Sequence, residues 1–369
     1  MDYIGFIVDG QVPSFRSCLR HYNPQALVYG WGSHTSVASM RFGWVADQVN
    51  KTFPDVRYEL YRPWRKYSAL IFLKSMNSDS VRLMQRSMNS GVKTIFDLNV
   101  DYLSPAEGKF YYEGMAPTSN QRRAALTMVG GVDGVIADSR HLADVAEQYN
   151  RNVIAIEDNV KNELIQTESS WLPCGIEKLT VLWCGQAVKL FELLAIKKVL
   201  LAWKDRIHLK CITGSLDALE SWYPDYQTEF KELLQQVSHE IIPFSSVSAL
   251  MEHYDKGGIF ISPRFLNNSY NRGHTEWKTT LPMARGRIVL CSPQQSYTRV
   301  HELAHGRGIR ICEDEDAWHE AFSELFSSSM NWHEEQTTAL TVVKDHYSTE
   351  IIAAKHIAFV RTIIDGVEQ

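Results

Sequence analysis

Short, nearly continuous apolar runs alternate with longer amphipathic runs along almost all of this 369-residue chain, and few folds admit that alternation. In the first half the apolar runs are YIGFIVDG (Tyr3–Gly10), ALVYGWG (Ala26–Gly32), ALIFLK (Ala69–Lys74), KTIFDLN (Lys93–Asn99), GVIADS (Gly134–Ser139) and VIAIED (Val153–Asp158). They show little polar–apolar alternation, as strands covered on both faces should. Helical patterns such as SDSVRLMQRSMNSG and SRHLADVAEQYN lie between them, with Ser139 placed to cap the second. Strands separated by helices predict right-handed crossovers and a parallel sheet.

The pattern lapses over KNELIQTESSWLPCG (Lys161–Gly175), which is polar and ends in Pro–Cys–Gly, and this reads as a domain boundary. It restarts with LTVLWCGQ (Leu179–Gln186), a helix through FELLAIKKVLLAW, HLKCITGS (His208–Ser215), EFKELLQQV and HEIIPF (His239–Phe244). SSVSALMEHYD, GGIFISP (Gly257–Pro263), RIVLCSP and RGIRICEDE follow, and two further helical stretches close the chain. The expected architecture is α/β, with two tandem Rossmann-like, doubly wound parallel-sheet domains facing a cleft. The first domain is assigned to residues 1–165 and the second to 175–345, with 346–369 a terminal helix packing back toward the first. Such a length suits two domains of roughly 150–200 residues.

Composition narrows the function classes. Hydrophobic residues at 44% and charged residues at 22% describe a soluble globular protein. A net charge of −5 gives no global attraction for nucleic acid. No apolar run approaches the ~20 residues of a membrane span, and MDYIGFIVDG lacks the basic segment of a signal peptide. The six cysteines (Cys18, Cys174, Cys184, Cys211, Cys291, Cys312) lack CxxC spacing, and several lie in strand-like runs. Free, buried thiols in a reducing, cytoplasmic setting are expected.

The most informative stretch is NNSYNRGHTEWKTTLPMARGRIVLCSP (Asn267–Pro293), which follows GGIFISP. It reads as a polar loop, a helix start, a small-residue turn and a buried strand. The first helical turn has free amides and the positive end of the dipole, so this is where a phosphate would sit. In an α/β sheet such loops lie beyond the carboxyl ends of the strands. A competing motif is HExxH at His301–Glu302–Leu303–Ala304–His305, with Glu320 or Glu324 as a third zinc ligand. Gly306 and Gly308 follow at once, and the stretch lies between two strand runs. A solvent-facing helix with both histidines near its C-terminal end is the plainer expectation.

Several segments, in order, resemble glycosyltransferases of the GT-B fold, most like glycosyltransferase family 4. They are KTIFDLNVD (Lys93–Asp101), VDGVIADSRHLADVAEQYNRNVIAIEDNV (Val132–Val160), VLWCGQAVK (Val181–Lys189), LKCITGS and KTTLPMARGRIVLCSP. The resemblance implies transfer of a sugar from a nucleotide-diphosphate-sugar donor to an acceptor hydroxyl, with retention and without a cofactor or metal. The acceptor would be a glycan, a lipid-linked molecule or a small molecule, and a lipid-linked one would bring the protein peripherally to a membrane. There are departures. The family's two glutamates eight positions apart fall on Gly273 and Leu281, with Glu276 off register, and DGQVPSFR stands where a Gly–Gly phosphate loop is usual. A catalytically degenerate nucleotide-sugar-binding or interaction protein is the alternative.

By this resemblance Lys189 and Lys278 flank the diphosphate, where leaving-group charge develops. Asp101 and Glu276 complete the catalytic set, Asp101 orienting an acceptor hydroxyl and Glu276 accepting from a sugar or ribose hydroxyl. Donor contacts fall on Gly185, Gln186, Gly214, Ser215, Phe244, Asn271, His274, Thr275 and Thr279. Acceptor contacts fall on His34, Arg41, Asp97 and Asn99. The plainer alternatives are surface lysines, helix caps and a core phenylalanine. Asn268 and Asn271 would shape the loop through left-handed backbone.

Overall fold

The computed structural model describes residues 1–10, 12, 38–108, 116–169, 177–214 and 224–366. The expected strand Ala26–Gly32, together with His34, Ser215, Cys18 and Cys174, lies outside the described residues.

Two six-stranded sheets carry the molecule. The first is made of β1 (Asp2–Val8), β2 (Val56–Leu60), β3 (Ala69–Leu73), β4 (Lys93–Leu98), β5 (Gly134–Ala137) and β6 (Val153–Ala155), in the order β2-β1-β3-β4-β5-β6. The second is made of β7 (Leu179–Cys184), β8 (Ile207–Thr213), β9 (His239–Pro243), β10 (Ile259–Ser262), β11 (Val289–Cys291) and β12 (Ile309–Ile311), in the order β12-β11-β10-β7-β8-β9. Every pairing between these strands is parallel. Each sheet reverses its winding once, between β1 and β3 in the first and between β7 and β10 in the second. Crevices for ligands open at such switch points, beyond the carboxyl ends of the strands.

Alternation along each strand divides the core. In the first domain Ile4, Phe6, Ile71 and Ile95 point to one face, and Ile7, Leu70, Phe72 and Phe96 to the other, all buried. The second domain repeats this, with Val181, Trp183, Leu209 and Ile261 opposite Leu182, Ile212, Phe260 and Val289. β2 is absent from the strand runs read in the sequence because it lies at the sheet edge. Its VRYEL leaves Arg57 exposed between buried Val56 and Tyr58, so it lacks a continuous apolar run.

The helix Thr349–Asp365 packs in the first domain. Ile352, Ile357, Phe359 and Val360 join the face carrying Val45 and Val49. Tyr58 Oη meets His356 Nδ1 at 3.0 Å. Gly134 makes the close approach possible, since a Cβ there would stand 2.7 Å from Ile363 Cδ1. Just before this helix, Ser348 forms an isolated parallel bridge with Val160.

Three expectations need correction. Three helices follow β12, not two: Glu315–Leu325, Trp332–Val342 and Thr349–Asp365. The FELLAIKKVLLAW segment is tight 3₁₀ backbone over Ala187–Ile196 before a short helix, Lys197–Ala202. Four consecutive residues there, Leu190, Phe191, Glu192 and Leu193, are buried, so neighbours on all sides set its path rather than one apolar stripe. Both His301 and His305 were expected near the end of one helix, but the helix Gln295–Leu303 carries only His301 and ends before His305, whose φ of 49° is left-handed. Among the described residues no group of three or more His, Cys, Asp or Glu is placed to hold a metal.

Of the described cysteines, Cys211, Cys291 and Cys312 are buried free thiols and Cys184 is half-buried. No helix of the described residues is long and apolar enough to cross a membrane.

Candidate functional site

The switch point of the second sheet is lined by cations. Gly185 follows β7, and a Cβ there would lie 2.7 Å from the Trp183 ring and 3.2 Å from Lys278 Nζ, so only glycine leaves the amine its place. Lys278 starts the helix Trp277–Met283, donates to Glu192 Oε2 at 3.1 Å and sits 5.0 Å from the centre of the Trp183 ring. Arg264 leaves the end of β10 and donates to Glu192 Oε1 at 2.6 Å and to Tyr297 Oη at 3.2 Å. Lys189 Nζ meets His274 Nε2 at 3.0 Å. Three cations therefore converge near one buried carboxylate. Burial opposes ionisation of Glu192, but Arg264, Lys278 and Lys189 outweigh it and hold its carboxyl below the ordinary range. Burial, and then the Arg264 and Lys278 charges, lower Lys189 well below an ordinary lysine. His274 is lowered well below its ordinary value by burial and by Lys189, Arg264 and Lys278, so it is a neutral partner for the Lys189 amine.

A second cluster lies at the carboxyl end of the first sheet. Arg41 Nε donates to Asp97 Oδ1 at 2.9 Å, and its Nη1 reaches Asp158 Oδ1 and the Ile156 carbonyl, each at 3.1 Å. Burial raises Asp97, with Asp158 adding to it, against the opposing pull of Arg41. Asp138 is raised well above its ordinary value by burial and then by Asp158. Glu276 is raised well above its own by burial, Asp158 and Glu157. Three buried carboxyls, Asp97, Asp138 and Asp158, thus act on one guanidinium, and Glu276 stands beside Asp158.

One short segment joins the two clusters. His274 meets Lys189, Thr275 Oγ1 donates to Asp158 Oδ2 at 2.8 Å, Glu276 Oε1 accepts from the Asp158 amide at 3.2 Å, and Lys278 reaches Glu192. Gln294 Nε2 and Ser296 Oγ both donate to the His274 carbonyl and fix the segment from the β11 side. Two further contacts cross between the domains: Ser139 Oγ donates to the Gly273 carbonyl at 3.0 Å, and Ser269 Oγ donates to Asp101 Oδ2 while facing His141 Nε2 at 2.8 Å.

The expected site residues divide accordingly. Lys189, Lys278, Gly185 and His274 come together at the second sheet, and Arg41, Asp97 and Asn99 at the first. Thr275 and Glu276 bridge them. Asp101 is committed elsewhere: Oδ1 accepts from the Leu103 and Ser104 amides and Oδ2 from Ser269, which makes it a turn former and a domain contact. Thr279 is fully buried, with its hydroxyl donating at 2.6 Å to the Glu276 carbonyl of its own helix. Asn268 has φ −145°, not left-handed, and caps the short helix Ser269–Arg272 by accepting from the Asn271 amide. Asn271 itself is buried. Gln186 and Gly214 are exposed, and Phe244 is 47% exposed beyond β9, outside the core. Arg264, Glu192, Asp138, Asp158 and Ser269 were missed. Of these only Arg264 carried a sequence signal, a lone arginine directly after GGIFISP.

No protein-family model matches this sequence, and no curated protein matches it. Solved structures do match, and they define the class: the chain has the two-domain GT-B fold of glycosyltransferases. Anabaena HepE, solved with UDP and glucose, is similar at a TM-score of 0.63 and 10% identity, over 98% of this chain and 100% of that one. The sucrose-phosphate synthase of Thermosynechococcus elongatus is similar at 0.62 and 11% identity, over 99% of this chain and 100% of the other. A glycosyltransferase of Rickettsia africae gives 0.61 at 12% identity, over 98% of each.

Proposed function

We propose that this protein is a glycosyltransferase that moves a sugar from a nucleotide-diphosphate donor to an acceptor hydroxyl. The observation that carries the reading is the pairing of Arg264 and Lys278 with a single carboxylate, Glu192, at the switch point of the second sheet, with Lys189 close by against His274. A diphosphate leaving group gains charge in the transition state, and fixed cations in a poorly hydrated crevice stabilise it. These three side chains supply the charge neutralisation that a divalent metal gives other transferases. Across the segment 274–278 lie the carboxyls Asp97, Asp138, Asp158 and Glu276, where an acceptor's hydroxyls would be met. Transfer with retention, in the cytoplasm and peripherally at a membrane when the acceptor is lipid-linked, completes the reading. HepE has been solved with UDP and with UDP-glucose, which supports a nucleotide-sugar donor here.

The test is thermal unfolding with uridine, guanosine, thymidine and adenosine diphosphates and their sugars. A ligand at 100 times its dissociation constant stabilises by about 2.7 kcal/mol. The matching diphosphate should raise the transition, and Lys278→Ala should abolish the rise. Transfer of radiolabelled sugar should persist in a metal chelator. Glu276 bonds the Asp158 amide, and Gly273 and Leu281 stand at the family's glutamate positions, which favours a second reading as a binding protein without turnover. Diphosphate binding with no release or transfer of the sugar would establish that second reading.

A further inference from the structure

β4 and β5 run in parallel register with Leu98 beside Ala137, so Asn99 and Asp138 come next, side by side at the carboxyl end of the first sheet. The Asp138 amide donates to the Leu98 carbonyl at 3.1 Å and holds that alignment. Strand alternation places Asn99 on the face of Asp97, the face that carries Arg41. Asn99 is 7% exposed and Asp138 is 3% exposed, yet neither amide atom of Asn99 has a partner, nor do Asp138 Oδ1 and Asp97 Oδ2. Buried polar atoms left in this state cost stability, and native proteins rarely keep four together without something to meet them.

The chemistry of the four atoms narrows the occupant. Three are acceptors when the carboxyls are ionised and one, Asn99 Nδ2, is a donor. Hydroxyl groups both donate and accept, so a pair on adjacent carbons can meet the two amide atoms of Asn99 and Asp138 Oδ1. An ammonium group alone leaves Asn99 Nδ2 unmet. A carboxylate or phosphate brings no donor, and Arg41 is already committed through Nε and Nη1 to Asp97, Asp158 and Ile156.

We infer that the first domain takes its acceptor as an uncharged sugar whose adjacent hydroxyls complete the hydrogen bonds of Asn99 and Asp138, and that acceptors bearing a carboxylate or phosphate there are rejected. The inference rests on the transferase reading above and deepens it at the acceptor side. The four atoms are closed off from bulk water, so the acceptor displaces whatever covers them.

Calorimetric titration of the full chain, with the nucleoside diphosphate that raises its unfolding transition present, tests it. The probes are the methyl glycosides of glucose, galactose and mannose, with methyl glucuronide and methyl glucosaminide as charged counterparts. At least one neutral glycoside should bind, and methyl glucuronide at least tenfold more weakly. Asn99→Ala and the isosteric Asp138→Asn should each weaken the neutral glycoside at least fivefold, with unaltered thermal unfolding of Asp138→Asn showing that the fold is intact. Equal binding of the glucuronide, tighter binding of the glucosaminide, or no binding by any neutral glycoside overturns the inference. So does unchanged binding in Asp138→Asn, which would leave water as the occupant. A separate titration with uridine, guanosine, thymidine and adenosine diphosphates keeps the two readings apart. Failure of wild-type protein to bind any of the four sinks the transferase reading, whereas diphosphate binding without glycoside binding sinks only this inference.

Discussion

Lys278 Nζ lies 3.1 Å from Glu192 Oε2, and the opposite oxygen of the same carboxylate takes Arg264 at 2.6 Å. The two side chains of the second pair are 3% exposed each, so a full guanidinium charge is buried against one carboxylate. Removing one member of such a pair leaves the other unpaired in a poor solvent.

Glu192→Gln should therefore lower stability by about 3–5 kcal/mol, as breaking a buried ion pair does. Urea unfolding measures it. Because a bound diphosphate restores counter-charge to Arg264 and Lys278, the thermal shift with the cognate nucleotide should be larger in Glu192→Gln than in wild type. A smaller shift in the variant would mean that Glu192 helps to bind the ligand rather than standing in for it.

Glu276 makes the opposite kind of prediction. Burial, Asp158 and Glu157 raise its folded-state pKa well above the ordinary 4.5. The folded protein then holds a proton that the unfolded chain releases, so this stabilisation is present at low pH and is lost as pH rises through the folded value. Glu276→Gln fixes the neutral form and keeps an oxygen for the Asp158 amide. Its melting temperature relative to wild type should rise from pH 5 to pH 8, and a pH-independent difference would refute the assignment.

His356 titrates in the other direction. Burial, with Arg41 contributing, lowers it to about 3, and its Nδ1 meets Tyr58 Oη. Its folded pKa lies below the ordinary 6.5, so the unfolded chain takes up the proton first. Stability from this group is complete above pH 6.5 and is lost as pH falls toward 3, by about 1.4 kcal/mol per pH unit. Asp97, Asp138 and Glu276 oppose this in wild type, so the comparison is with His356→Phe. Urea unfolding at pH 6.5 and pH 4.5 should show the wild type losing more than the variant.

Ser269 holds the domains together through Asp101 and His141. Ser269→Ala should cost about 1–3 kcal/mol, because the Asp101 carboxylate is buried and loses a donor. Ser269→Thr keeps the hydroxyl and should keep most of that stability. If the alanine and threonine variants unfold alike in urea, the hydroxyl is not what matters.

Much of the fold was legible in the chain. Runs such as ALIFLK and GVIADS become β3 and β5, every residue of which is buried, because strands covered on both faces must be apolar throughout. Ser139 caps its helix as expected, accepting from the Leu142 amide at 3.3 Å. The cationic end of the site was half legible, since Lys189 and Lys278 each follow a local signal, a glycine turn or a helix start. The carboxyl cluster was not: Asp138 and Asp158 look like ordinary polar residues closing apolar runs.

The sequence by itself determined the strands, most of the helices and the order in which they alternate, because those depend on the side-chain period within a few residues. Tertiary structure alone decided that Glu192 would stand between Arg264 and Lys278, that Arg41 would be ringed by carboxyls, and that Asp101 would accept from Ser269. Those contacts join residues 56 to 168 positions apart. Charges that far apart in sequence meet only once both sheets are wound, and burial then fixes which of them remain ionised.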